Sequence, residues 1–121
     1  MLPVLANWRL SLTSSQPAQI ALDGQDGVWI TERDGNKIAH FDPQTQVWTE
    51  YGVPTAASQP WGLALDGAGN VWFAETAANQ IGKLDIDSGT IVEYPVPTAG
   101  SEPWQVLFSH GDLWFTERAG N

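Results

Sequence analysis

Cysteine is absent from this chain, which excludes disulfides and leaves the redox compartment undetermined. Basic residues are scarce: five Lys and Arg stand against fourteen Asp and Glu, for a net charge of −9. That balance argues against nucleic acid, whose phosphates demand cations, and against anionic membrane surfaces. No apolar run approaches the length of a membrane span. The start, from Met1 to Leu10, has neither a basic lead nor a long apolar segment. No secretory signal is read there, and the cytoplasm is the default expectation. No window carries a sustained 3.6-residue apolar period, so a helical solenoid is excluded. Glycine clusters join strand to strand rather than strand to helix, so neither a phosphate loop nor a nucleophile elbow is present.

Tryptophan, in contrast, is abundant, with seven in 121 residues. Three of the seven share one position of a recurring stretch. Its clearest copy is Pro60-Trp61-Gly62-Leu63-Ala64-Leu65-Asp66-Gly67-Ala68-Gly69-Asn70-Val71-Trp72-Phe73-Ala74-Glu75. The alternation around Leu63 and Leu65 has the period of a strand, Asp66 to Asn70 is a Gly-rich turn, and Val71 to Ala74 suits a second strand. The stretch recurs from Pro17 to Glu32 and from Pro103 to Glu117, and the three opening prolines are 43 residues apart. A period of that size marks a repeat architecture.

Residues 17–59 form one unit. Strands are expected near Gln19–Leu22, Val28–Glu32, Lys37–Phe41 and Val47–Val53, called A to D, with turns at Arg33 to Asn36 and Asp42 to Gln46. Residues 60–102 repeat the unit without a gap. Ile38 matches Ile81, and Glu50-Tyr51 matches Glu93-Tyr94. Four antiparallel strands in about 43 residues is one propeller blade, so the chain is read as a single all-β propeller-forming domain over 1–121. Residues 103–121 supply only strands A and B. Residues 1–16 supply a strand D at Trp8–Leu12 and a strand C at Leu2–Ala6, joined by a shortened turn. The result is three blade equivalents, one of them split between the termini. Three blades do not close a ring. The expected partner is a second copy, strands A and B of one chain pairing with C and D of the other, to give a six-bladed homodimer. The alternative is a slice of a larger propeller. Trp29, Trp72 and Trp114 share one position of strand B and are expected to be buried.

These residues resemble the virginiamycin B lyase (streptogramin B lyase) family. The resemblance is carried by 60–75, by Ala78-Asn79-Gln80-Ile81-Gly82-Lys83-Leu84-Asp85, and by Gly89-Thr90-Ile91-Val92-Glu93-Tyr94-Pro95-Val96-Pro97-Thr98. It implies a seven-bladed propeller that opens a cyclic depsipeptide by magnesium-dependent elimination at the ester. It further implies catalytic histidines directly after the proline that opens strand A. The matching positions here hold Ala18, Trp61 and Trp104, so lyase activity is disfavoured and no catalytic residue is assigned. No cofactor or metal is expected; magnesium enters only under the lyase reading.

In a four-stranded blade, the D-to-A connector and the B–C turn share one rim. Trp61, Trp104, Glu32, Glu75, Glu117, Arg33, Arg118, Asn36, Asn79 and Asn121 are therefore expected on one face, where a propeller binds a small molecule. Trp61 and Trp104 suit stacking on a flat or sugar-like ligand, or else plug the gaps between blades. The repeated glutamates suit a hard cation, or else bond turn amides or pair with Arg33 and Arg118. The loops after Asp23 and Asp66 lack the spacing of a calcium loop and read as hairpin turns. His40 and His110 have no partner at ligand spacing. The expected function is a ligand-binding or structural propeller assembly. The alternatives are a streptogramin-type lyase and an interaction scaffold.

Overall fold

The computed structural model describes residues 15–119. The strands expected at Leu2–Ala6 and Trp8–Leu12, and Asn121, lie outside them. Every regular element among the described residues is a strand: β1 (Pro17–Leu22), β2 (Val28–Glu32), β3 (Lys37–Asp42), β4 (Val47–Gly52), β5 (Pro60–Leu65), β6 (Asn70–Glu75), β7 (Gln80–Asp85), β8 (Ile91–Pro95), β9 (Pro103–Ser109) and β10 (Asp112–Glu117). They form two four-stranded antiparallel sheets in sequence order, β1 to β4 and β5 to β8, followed by the hairpin β9–β10. No helix there is long and apolar enough to cross a membrane.

Register repeats with the sequence. Trp29 pairs with Ala21, Trp72 with Ala64, and Trp114 with Leu107. Because side chains alternate across a sheet, equal register gives each blade the same two faces. The back of the first blade (Trp29, Ile38, Val53) packs on the front of the second (Leu63, Val71, Phe73, Leu84) in one cluster. The back of the second blade (Ala74, Ile81, Val96) packs on Val106 of the hairpin. Two glycines permit the close approaches. A Cβ on Gly62 would lie 2.5 Å from the Trp104 carbonyl oxygen, so β5 and β9 meet backbone to backbone. A Cβ on Gly82 would lie 2.2 Å from the Phe73 ring.

The common burial expected of the three strand-B tryptophans is corrected by the structure. Trp29 is 1% exposed, Trp72 is half-buried, and Trp114 is 63% exposed. The gradient follows what lies behind each ring. Trp29 faces a full blade, Trp72 faces a two-stranded hairpin, and Trp114 faces no described blade. The indole anchor is equal in the first two blades, and the third turn lacks its aspartate. The Trp29 indole N–H donates to the Asp23 carboxylate at 3.1 Å and that of Trp72 to Asp66 at 3.0 Å. The third turn has Ser109 where the others have aspartate.

Replacing Trp29 with Ala should cost about 3–5 kcal/mol, since it empties a fully buried site. Replacing Trp72 should cost measurably less, because part of its ring already faces water. Urea unfolding of both variants checks this; equal costs would contradict the burial gradient.

Candidate functional site

The rim is built by the same bonds in each repeat. At every blade opening, the turn after strand B donates backbone N–H groups to the connector before strand A. Arg33 bonds the Gln16 carbonyl at 3.0 Å, Thr76 that of Gln59 at 3.3 Å, and Arg118 that of Glu102 at 3.0 Å. The three accepting residues precede proline, where an extended backbone is favoured, yet their φ angles are 45°, 54° and 52°. This left-handed kink turns each carbonyl toward its donor and sets the strand that carries Ala18, Trp61 or Trp104.

Asn36 and Asn79 lock the connectors that follow. Both sit at φ 57°. The Asn36 amide donates to the Val53 and Thr55 carbonyls, at 3.3 and 2.9 Å, and its oxygen accepts from the Ser58 N–H and hydroxyl, at 3.0 and 2.7 Å. Asn79 makes the same four bonds to Val96, Thr98 and Ser101.

Four of the sequence candidates come together in one stack. The Trp61 and Trp104 rings lie 4.2 Å apart, tilted by 25°. The Arg33 guanidinium lies 5.4 Å from the Trp61 ring, and that of Arg118 lies 4.2 Å from the Trp104 ring. Cations over indole faces are attracted by the ring quadrupole. Arg33 is held by Asp34 at 3.4 Å and by the Gln16 side chain at 2.5 Å. Arg118 is paired with Glu102. Trp61 bridges back to the first blade, its carbonyl accepting from the Thr31 hydroxyl at 2.7 Å. The order along the rim is Arg33, Trp61, Trp104, Arg118. Its outer edges stay partly open to solvent, with Arg33 and Arg118 offset by Asp34 and Glu102.

The glutamates do not join this stack. Glu32 and Glu75 are buried, while Glu117 ends β10 half-buried. Among the described residues, no three His, Cys, Asp or Glu side chains gather as metal ligands. Nor do the acids meet Arg33 or Arg118. The neighbours of Glu32 and Glu75 are Glu50 and Glu93 of strand D. Burial first, and then Glu50, push Glu32 up to about 7, against the pull of Lys37. Lys37 also pairs with Glu50 at 3.5 Å. One repeat on, the lysine position holds Gln80. Without that cation, burial and Glu93 push Glu75 up to about 9, so at neutral pH it keeps its proton and can lie against Glu93. Both Glu75 oxygens are buried without a hydrogen-bond partner. Glu93 in turn accepts from the Thr55 N–H at 3.2 Å and hydroxyl at 3.0 Å, fastening the connector between the blades.

His40 lies in β3, its ring 4.4 Å from that of Trp29. His110 lies in the β9–β10 turn, bonded to Ser109 at 2.9 Å. Both are away from the strand openings at Pro17, Pro60 and Pro103.

The comparisons with known proteins agree with one another. The virginiamycin B lyase family model matches residues 4–121. The chain belongs to the virginiamycin B lyase family. Virginiamycin B lyase from Staphylococcus aureus superposes with a TM-score of 0.85 at 34% identity, over 91% of this chain and 37% of that one. A streptogramin B lyase structure gives a TM-score of 0.85 at 37% identity, over 89% and 36%. A catalytically inactive His-to-Ala virginiamycin B lyase from S. aureus, with quinupristin, gives 0.83 at 33% identity, over 91% and 37%. The chain thus spans little more than a third of the length of these lyases. No curated protein matches.

The Glu75 proton links folding to pH. Its folded pKa lies above the ordinary carboxyl value, so its contribution is complete below about 4.5 and is lost as pH rises toward about 9. Glu75→Gln, neutral at every pH, should flatten stability over that window and exceed wild type at its upper end. Urea midpoints at pH 5 and pH 8.5 check this. Parallel curves for the two proteins would contradict it.

Proposed function

We propose that this chain is a non-catalytic propeller scaffold of the virginiamycin B lyase family that binds a flat or sugar-like small molecule on its Arg–Trp rim. The observation that carries the reading is the identity of the residues after the opening prolines. Elimination needs a base beside the proton it removes. The three positions where the family resemblance sets histidine hold Ala18, Trp61 and Trp104, and two of these are stacked between arginines. Indole and guanidinium planes offer apolar area, cation–π attraction and hydrogen-bond donors, the means by which proteins hold sugars and aromatic rings. Asn36, Asn79, Glu32, Glu75 and Glu117 belong to the same rim in this reading and set its shape. No cofactor is needed.

The same reading has two copies closing a six-bladed ring. Each split blade takes its inner hairpin from residues 103–119 of one chain and its outer strands from residues 1–16 of the other. A second reading is favoured by length. A segment covering 37% of a longer lyase relative would be completed by blades of its own chain.

Quinupristin with magnesium is the natural test compound, since it accompanies the inactive relative. Reversed-phase chromatography should show no ring opening above the uncatalysed rate. Turnover would overturn the non-catalytic reading. Calorimetric titration with quinupristin, monosaccharides and flat heteroaromatics should give saturable binding to at least one, lost in Trp104→Ala. No binding across the panel would overturn the ligand reading.

A further inference from the structure

The row of tryptophans on the rim is interrupted at the first blade. Ala18, Trp61 and Trp104 hold one position of strand A. Each follows a proline paired with the glutamate that ends strand B: Pro17 with Glu32, Pro60 with Glu75, Pro103 with Glu117. Trp104 stacks on one face of Trp61, with 4.2 Å between ring centres. The same step backward brings position 18 to the other face, where Ala18 supplies only a methyl group. That face is covered by the Arg33 guanidinium, 5.4 Å from the ring centre, whereas Arg118 lies 4.2 Å from the Trp104 ring. Atoms in contact lie about 3.5–4.0 Å apart, so Arg33 stands over Trp61 without closing on it. Arg33 is also lightly held. Its contact with Asp34 is 3.4 Å long, between side chains 38% and 43% exposed, where an ion pair contributes little. Both walls of this gap belong to described blades packed on each other, and the Thr31 hydroxyl bond to the Trp61 carbonyl fixes their spacing.

We propose that the Trp61 face above Ala18 is the ring subsite of the rim, and that it takes a flat aromatic carboxylate between the indole and Arg33. This rests on the ligand-binding reading of the rim and names its ligand class and the residue that opens it. The indole face stacks the ring. The Arg33 N–H groups donate to the ligand's carboxylate in place of Asp34, a planar fork meeting a planar acceptor. Ala18 is the specificity residue, because any large side chain there covers the face. A sugar fits less well. Its hydroxyls need acceptors and donors around it, and the rim groups of that kind are already used. The Asn36 and Asn79 amides are engaged with backbone and serine, and Glu32 and Glu75 are buried. What remains is planar area and guanidinium donors.

Calorimetric titration with naphthoate and its neutral amide, naphthamide, tests the subsite. Wild type should bind naphthoate saturably, and roughly 10-fold more tightly than naphthamide, the effect of one charged hydrogen bond. Ala18→Trp continues the indole row across the subsite. It should weaken naphthoate binding by about 10-fold or more, with a urea midpoint no lower than that of wild type, because the added ring stacks on Trp61. Arg33→Gln changes an exposed side chain and should bind the two compounds equally. That result carries the test if Ala18→Trp fails to fold. A folded Ala18→Trp that binds naphthoate as wild type does, or an Arg33→Gln that keeps the preference for naphthoate, overturns the subsite and leaves the ligand-binding rim standing. Wild type that binds a monosaccharide but not naphthoate overturns the ligand class alone. Wild type that binds none of these compounds, nor quinupristin, overturns both readings.

Discussion

Stacking of one sheet's front on the previous sheet's tryptophan-bearing back holds the described blades together. A single four-stranded blade has two faces, and burying only one leaves it marginal. The repeat solves this by making the faces complementary. Trp29 with Ile38 and Val53 forms the back, and Leu63, Val71 and Phe73 form the front. The indole is held from its own turn. Burial works to raise the Asp23 acid, but the N–H groups of Gln25 and Gly27 and the Trp29 indole hold it below the usual carboxylate range. Asp66 is held low in the same way, with the Trp72 indole and Asn70 as its main donors. The same hydrogen bonds shape the hairpin and orient the ring, so turn chemistry and core packing are one device.

The rim depends on this stacking in turn. Trp61 and Trp104 come from the first strands of successive sheets, and their rings meet only because β5 and β9 approach as closely as Gly62 allows. The connectors that carry them are fixed by Asn36 and Asn79, whose amides are fully engaged with backbone and serine. Beneath them, the acid pairs sit where alternation of strands B, C and D brings Glu75, Gln80 and Glu93 onto one face. A neutral acid there avoids placing two charges side by side in a buried site.

Much of this was legible in the sequence. The fixed period placed strand B of the first blade at Val28–Glu32, as observed, and the other strands within two residues at each end. Turn order alone places Asn36, Asn79, Trp61 and Trp104 beside the connectors, where the structure has them. The stack of Arg33, Trp61, Trp104 and Arg118 was not legible, because side chains from three blades meet only after the sheets pack. The acid pairs were missed although both members were visible: Glu50-Tyr51 and Glu93-Tyr94 recur at the repeat spacing. Only register shows that they face Glu32 and Glu75. The arginines, expected beside those acids, pair instead with Asp34 of the B–C turn and Glu102 of the connector. The uniform burial assigned to the three tryptophans failed for a related reason. Equal position within a repeat gives equal surroundings only where another blade follows.

Under the proposed two-copy ring, the number of chains in the assembly is the quantity to measure. Sedimentation equilibrium of the unmodified chain at micromolar concentration measures it directly. The expected result is twice the 13.2 kDa of one chain, with dissociation accompanied by loss of β-sheet circular dichroism. A well-folded single chain at those concentrations would contradict it.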